Sequence, residues 1–136
     1  MGRYAHFRKK NVSLYEWGMH DFVHGLNIVN TPKIIRYNRE KELLTLPYLG
    51  CDTIANLYGD EDNDTPDEVF EEIRDIITKL YHFGIIYPDI TGYNFIQGQN
   101  HIWIIDFEHA EYIPNEPNKF VEQFIDGYNG WNPDFK

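Results

Sequence analysis

The chain has 136 residues, 42% apolar and 16% aromatic, which suits one packed domain and leaves too little for a second. With 12 Lys and Arg against 22 Asp and Glu the formal net charge is -10, a field that repels nucleic acid and anionic membrane surfaces, so neither is an expected partner. Cys51 is the one cysteine, so no internal disulfide forms. Neither the opening Met1-Gly2-Arg3-Tyr4-Ala5-His6 nor any later stretch carries the apolar run of a secretory signal or a spanning helix, and an intracellular, cytoplasmic location is expected.

In chain order, Ser13-Leu14-Tyr15-Glu16 reads as a capping box, with the Ser13 hydroxyl and the Glu16 carboxylate each satisfying a backbone N–H of the other. It opens a helix over residues 14–25, with Trp17, Phe22, Val23 and Leu26 as a rough apolar stripe. Residues 33–37 and 42–46 alternate as strands around the polar Asn38-Arg39-Glu40-Lys41 turn, which predicts a hairpin ending at Pro47-Tyr48-Leu49-Gly50. Thr65-Pro66-Asp67-Glu68 is the strongest helix start, with Thr65 as cap and Pro66 in the first turn, and Gly84 is the stop. Between them Val69, Phe70, Ile73, Ile76, Ile77, Leu80 and Tyr81 follow the helical period, so this helix buries one broad face. A second hairpin is predicted from Phe95-Ile96-Gln97 and residues 101–105 around Gly98-Gln99-Asn100, and a last helix at about residues 118–127.

The chemistry concentrates in residues 84–108. Asp89 is followed five positions on by Asn94, and twelve further by Asp106, each at the end of a short apolar run. Phosphoryl transfer asks little covalent chemistry of a protein. It needs a carboxylate to orient the acceptor hydroxyl and oxygen ligands to hold a divalent ion, and these three side chains supply both.

This spacing, set behind a hairpin, a connector and a long helix, resembles the core of the protein-kinase-like superfamily over about residues 10–110. The resemblance implies an α+β, truncated kinase-like fold in a single domain. Residues 1–49 would form a reduced N-lobe of one helix plus a hairpin, with the hinge, and residues 50–136 an abbreviated helical C-lobe. It implies Asp89 as the catalytic-loop carboxylate, Asn94 and Asp106 as ligands of Mg²⁺, and ATP as the bound nucleotide. Leu46-Pro47-Tyr48-Leu49-Gly50 looks like the hinge, where the Pro47 carbonyl and the Leu49 N–H would read the adenine, so the missing donor of Pro47 costs the ligand nothing. The phosphate-anchoring cation falls on Lys10 or its neighbour Lys9, with Glu16 or Asp21 as its carboxylate partner, and Lys10 is the expected one. The implied activity is transfer of a γ-phosphoryl group to a hydroxyl. The alternative is an inactive pseudokinase that binds nucleotide or presents a surface to a protein partner.

The chain also departs from the family's pattern. Tyr87-Pro88 stands where His-Arg or His-Gly is usual, and the Tyr ring is expected to fill the volume of the imidazole. Glu108 stands where Asp-Phe-Gly has its glycine, a form resembling choline-kinase-like and aminoglycoside-phosphotransferase-like relatives. Two metal lookalikes are weaker readings. His20 and His24 lie one helical turn apart, as in a zinc pair, but lack a third ligand. The run Asp60-Glu61-Asp62-Asn63-Asp64 imitates a calcium loop but has Thr65 where a glycine is needed, so a solvated acidic connector is expected.

Overall fold

A computed structural model describes residues 6–50 and 52–135; the leader reading on Met1–Ala5 and the thiol of Cys51 fall outside them. The fold is mixed α and β, with a small sheet and a larger helical body each built around its own apolar cluster.

The small sheet has three antiparallel strands, one more than the expected hairpin. Strand β1 (His6–Lys9) was not anticipated; it pairs with β3 (Leu43–Pro47), which pairs in turn with β2 (Arg36–Asn38). In this register Lys9 faces Leu44 and Phe7 faces Leu46. Val12, Leu44 and Leu46 form the local core, with Trp17 stacked on Tyr37 at 5.5 Å.

Helix α1 (Leu14–Leu26) begins as expected, the Glu16 N–H donating to the Ser13 hydroxyl at 3.1 Å. The other half of the capping box is corrected: the Glu16 carboxylate turns inward to Lys9, since a buried ion pair outcompetes a solvated backbone donor. A short helix α2 (Ile54–Tyr58), capped by Thr53, follows the sheet, in a stretch to which the sequence assigns no element. The acidic run makes a single 3-10 turn at Asp62–Asp64 with a reciprocal cap between Glu61 and Asp64.

Helix α3 (Asp67–Phe83) carries the long apolar face. Its cap is Pro66 rather than Thr65: the Pro66 carbonyl accepts from Val69 and Phe70, while the Thr65 hydroxyl is buried without a partner. The helix stops at Gly84, whose φ of +111° and contacts to the Leu80 and Tyr81 carbonyls close the end; a Cβ there would lie 3.2 Å from the Pro114 backbone. Val69, Phe70, Ile73, Ile76, Ile77 and Leu80 are all buried, each contributing roughly 1.5–3 kcal/mol relative to exposure.

After α3 the chain forms β4 (Ile85–Ile86), a loop through Asp89 to a 3-10 turn at Gly92–Asn94, and the expected hairpin of β5 (Phe95–Gln97) with β6 (Ile102–Ile104). β7 (Glu111–Tyr112) returns to pair with β4, and α4 (Lys119–Ile125) packs Val121 and Phe124 on α3. The following segment tucks Trp131 against Phe70 at 4.5 Å and Phe95 at 6.5 Å.

Candidate active site

The cleft between sheet and helical body is built from the ends of short strands. Antiparallel pairing ties the Ile105 N–H to the Asn94 carbonyl at 3.0 Å, which brings the residue before Asp106 onto the loop that follows Asp89. The Asn94 side-chain amide donates to the Asp89 carbonyl at 2.8 Å, so its oxygen is left for another partner. Asp106 itself adopts φ +67°, a left-handed conformation that costs an aspartate about 1–3 kcal/mol and is held by its surroundings.

Asp106, Asn94, Lys9 and Glu16 line one cavity of about 230 Å³ together with Phe7, Leu46 and Ile105. An adjoining, more apolar cavity of about 200 Å³ shares Phe7, Leu46, Tyr93 and Ile105 with it and is walled by Pro47, Tyr48 and Leu49. Pro47, Tyr48 and Leu49 thus stand in one part of this slot and Asn94 and Asp106 in the other.

The cation in the slot is Lys9. Its ammonium donates to Glu16 at 2.6 Å and lies 3.2 Å from Asp106, whereas Lys10 is exposed just beyond the strand. Side chains alternate across a strand, so with Phe7 and Lys9 turned into the cleft, Lys10 falls on the other phase. Burial opposes the charge on Lys9, but the Glu16 hydrogen bond and the nearby charge of Asp106 outweigh it and raise the pKa. Burial likewise lifts the Glu16 carboxyl above its ordinary range, with Lys9 pulling it back. Asp21, the other partner weighed, is exposed on α1.

Tyr87 does more than fill space. It is fully buried, edge-on to Phe95 and Phe107, and its hydroxyl donates to the Ile105 carbonyl at 2.6 Å, which braces the loop before Asp89 against the strand leading to Asp106. Burial drives its phenol pKa well above the ordinary value, so it remains a donor.

Three further residues near Asp89 escaped the sequence reading. The His109 Nδ1–H donates to Asp89 Oδ2 at 2.7 Å, and the Phe135 ring packs on the imidazole at 5.1 Å. Asn132 clamps the loop from outside: its backbone N–H donates to the Ile90 carbonyl at 2.8 Å and its side-chain amide to the Pro88 carbonyl at 2.9 Å. The only sequence signal for them was proximity of His109 to Asp106; the clamp comes from the far end of the chain. The Asp89 carboxyl is raised by burial despite its imidazole partner, and the His109 pKa is raised by the hydrogen bond to Asp89.

The metal lookalikes resolve into structure. His20 donates through Nε2 to the Pro32 carbonyl and His24 through Nδ1 to the Thr31 carbonyl, so both fasten the loop after α1. Asp60 accepts from the Tyr93 hydroxyl and Asp62 from the Trp131 backbone N–H, so the acidic connector ties the loop after Asp89 to the C-terminal segment. Among the described residues, Glu16, Asp106 and Glu108 bring three carboxylate oxygens within 4.8 Å of one another, with Lys9 bridging the first two. Hard oxygen donors of this kind suit Mg²⁺ rather than a soft metal.

Residues 23–121 match the family model described as RIO domain. No helix among the described residues is long and apolar enough to cross a membrane.

Proposed function

The chain belongs to the RIO-domain family, within the protein-kinase-like superfamily, and from that membership we propose that it binds ATP with Mg²⁺ and transfers the γ-phosphoryl group to a hydroxyl. One observation carries the reading: Lys9, Asn94 and Asp106 line one cavity, and the apolar cavity walled by Pro47 and Leu49 shares Phe7, Leu46, Tyr93 and Ile105 with it. Such a pairing suits a purine at one end and phosphates at the other.

In this reading the Pro47 carbonyl and the Leu49 N–H hold the base. Lys9, in place of the expected Lys10, draws the phosphates in, and Glu16 holds the ammonium in position. Asn94 through its amide oxygen, and Asp106 through its carboxylate, would hold Mg²⁺, which when bound neutralises the phosphate charge and orients the transferred group. Asp89 serves the acceptor side, and Tyr87 keeps its loop registered on Ile105. The left-handed backbone at Asp106 supports a functional role, because strain of this kind persists where the surroundings hold a side chain for use.

Calorimetric titration with ATP and Mg²⁺, combined with turnover assays, tests the assignment. Asp106→Asn is expected to abolish Mg²⁺-dependent nucleotide binding, and Asp89→Asn to leave binding intact while removing turnover. Equal binding by Asp106→Asn and the parent chain refutes the metal role. Binding without turnover under any condition favours the second reading, a nucleotide-binding pseudokinase that serves a protein partner; the shielding of the Asp89 carboxylate favours that reading.

A further inference from the structure

The C-terminal end of α3 borders a cavity of about 610 Å³ that is larger than either part of the nucleotide slot and shares no residue with it. Its walls are the helix end at Tyr81 to Gly84, Ile86 of β4 and the loop that follows β7. That loop is set in place before any ligand arrives. The Ile113 N–H donates to the Gly84 carbonyl at 2.8 Å, Pro114 and Pro117 each fix a backbone angle, and Asn115 turns the chain with φ +70°. A wall already ordered spares a ligand the cost of ordering it. Two carboxylates line the cavity, Glu116 on the loop and Glu122 on α4. The Tyr81 hydroxyl donates to Glu122 at 2.6 Å and accepts the Asn118 N–H at 3.0 Å, which holds that carboxylate at the wall. None of the lining residues is Lys or Arg, and His82 is the one lining group able to carry a positive charge. Of the basic residues on α3 and α4, Arg74 is turned to Glu71, Lys79 pairs with Asp75 at 3.0 Å, and Lys119 stays outside the lining.

An apolar platform adjoins the cavity. Phe22 of α1, Phe83 of α3 and Tyr112 of β7 meet ring to ring, at 6.1 Å for Phe22 and Phe83, 5.6 Å for Phe22 and Tyr112, and 5.9 Å for Phe83 and Tyr112. All three remain exposed, and Phe83 also lines the cavity. A contiguous exposed cluster of large rings marks a surface that another protein covers. We propose that this face docks an arginine-bearing segment of a protein partner, the guanidinium reaching Glu116 and Glu122 and a neighbouring apolar residue resting on the rings. Charge complementarity selects that occupant. The chain's net charge of -10 draws cationic chains and repels nucleic acid and anionic lipid. A guanidinium binds a carboxylate through two parallel N–H donors and lies flat on an aromatic face, whereas an ammonium is a point charge that does neither. A small polyamine satisfies the carboxylates but leaves the rings bare. The proposal uses no residue of the nucleotide slot and stands apart from the phosphotransferase reading.

The probe is a pool of ten-residue peptides, random but for one arginine and one leucine, passed over the immobilised full chain beside a matched pool with neutral citrulline in place of arginine. Retention of the arginine pool is expected to exceed that of the citrulline pool by roughly tenfold, the scale of one well-placed charge-assisted contact. The pair Glu116→Gln/Glu122→Gln is expected to lose that advantage, and Tyr112→Ser to weaken retention of the arginine pool, with the unfolding midpoint of each variant checked against the parent. Glu116→Gln alone, on the exposed loop, gives the same direction of change without touching the Tyr81 bond. The pair Glu40→Gln/Glu68→Gln changes the net charge equally at exposed positions elsewhere and is expected to retain the arginine pool as the parent does. Equal retention of the two pools, or an equal loss in the Glu40/Glu68 control, overturns the proposal in favour of unspecific attraction. Spermidine bound by the parent as tightly as the retained peptides overturns it in favour of a small cation. A concentration-dependent dimer in sedimentation that Tyr112→Ser abolishes overturns it in favour of a second copy of the chain.

Discussion

Replacing Lys9 by methionine leaves Glu16 in a hard position. Glu16 is 2% exposed, its ammonium partner is gone, and Asp106 and Glu108 present oxygens within 4.8 Å. Removing one partner of a buried ion pair costs about 3–5 kcal/mol, and because Lys9 is partly solvated the expected loss near pH 8 is nearer to about 2 kcal/mol. For a chain of this size that is a drop in Tm of roughly 8 °C. The loss depends on pH. Burial already raises the Glu16 pKa above 4.5, and without Lys9 to pull it back it rises further. A carboxyl whose folded pKa exceeds its unfolded one adds stability below the unfolded value and loses it as pH rises through the folded value. The deficit of Lys9→Met therefore narrows on acidification toward 4.5 and is widest at neutral and alkaline pH. Urea unfolding followed by tryptophan fluorescence at pH 5 and pH 8 measures both effects. The double variant Lys9→Met/Glu16→Gln, with a neutral amide in place of the orphaned charge, is expected to regain most of the loss at pH 8. A deficit equal at both pH values, or a double variant no more stable than the single one, refutes the ion-pair explanation.

Tyr87→Phe removes one hydroxyl and strands the Ile105 carbonyl, so unfolding is expected to become easier by about 1–3 kcal/mol, with denaturant titration as the check and an unchanged midpoint as the contrary result. Asn132→Ala loses the bond to the Pro88 carbonyl and is expected to lower turnover more than nucleotide affinity, as read from separate kcat and Kd values. Burial lowers the His20 pKa below 6.5, so the neutral ring stabilises the fold above that pH and the contribution is lost as pH falls through the folded value. His20→Gln should flatten the fall in Tm between pH 7 and pH 5, and an unaltered slope argues against it.

Short-range spacing carried much of the reading. The Asp89, Asn94 and Asp106 spacing and the long α3 face are both local in sequence, and α3 forms where its pattern placed it. What escaped depended on distant partners. Strand β1 has an exposed, charged sequence whose pairing is visible only against β3, so the phase that turns Lys9 rather than Lys10 into the cleft was not legible. Glu16 matched a capping box by spacing, but a cation seven residues upstream claimed it. The tyrosine at position 87 was placed as bulk, while its hydroxyl found a carbonyl eighteen residues on. Asn132 reaches the Pro88 carbonyl across forty-four residues, a contact that no local pattern encodes.

The most direct test is a crystal soaked with a non-hydrolysable ATP analogue and Mg²⁺. Density for the base against Pro47 and Leu49, for the phosphates at Lys9, and for an ion held by Asn94 and Asp106 is the expected result. An analogue seated elsewhere, or an ion that leaves Asp106 untouched, contradicts the nucleotide site proposed here.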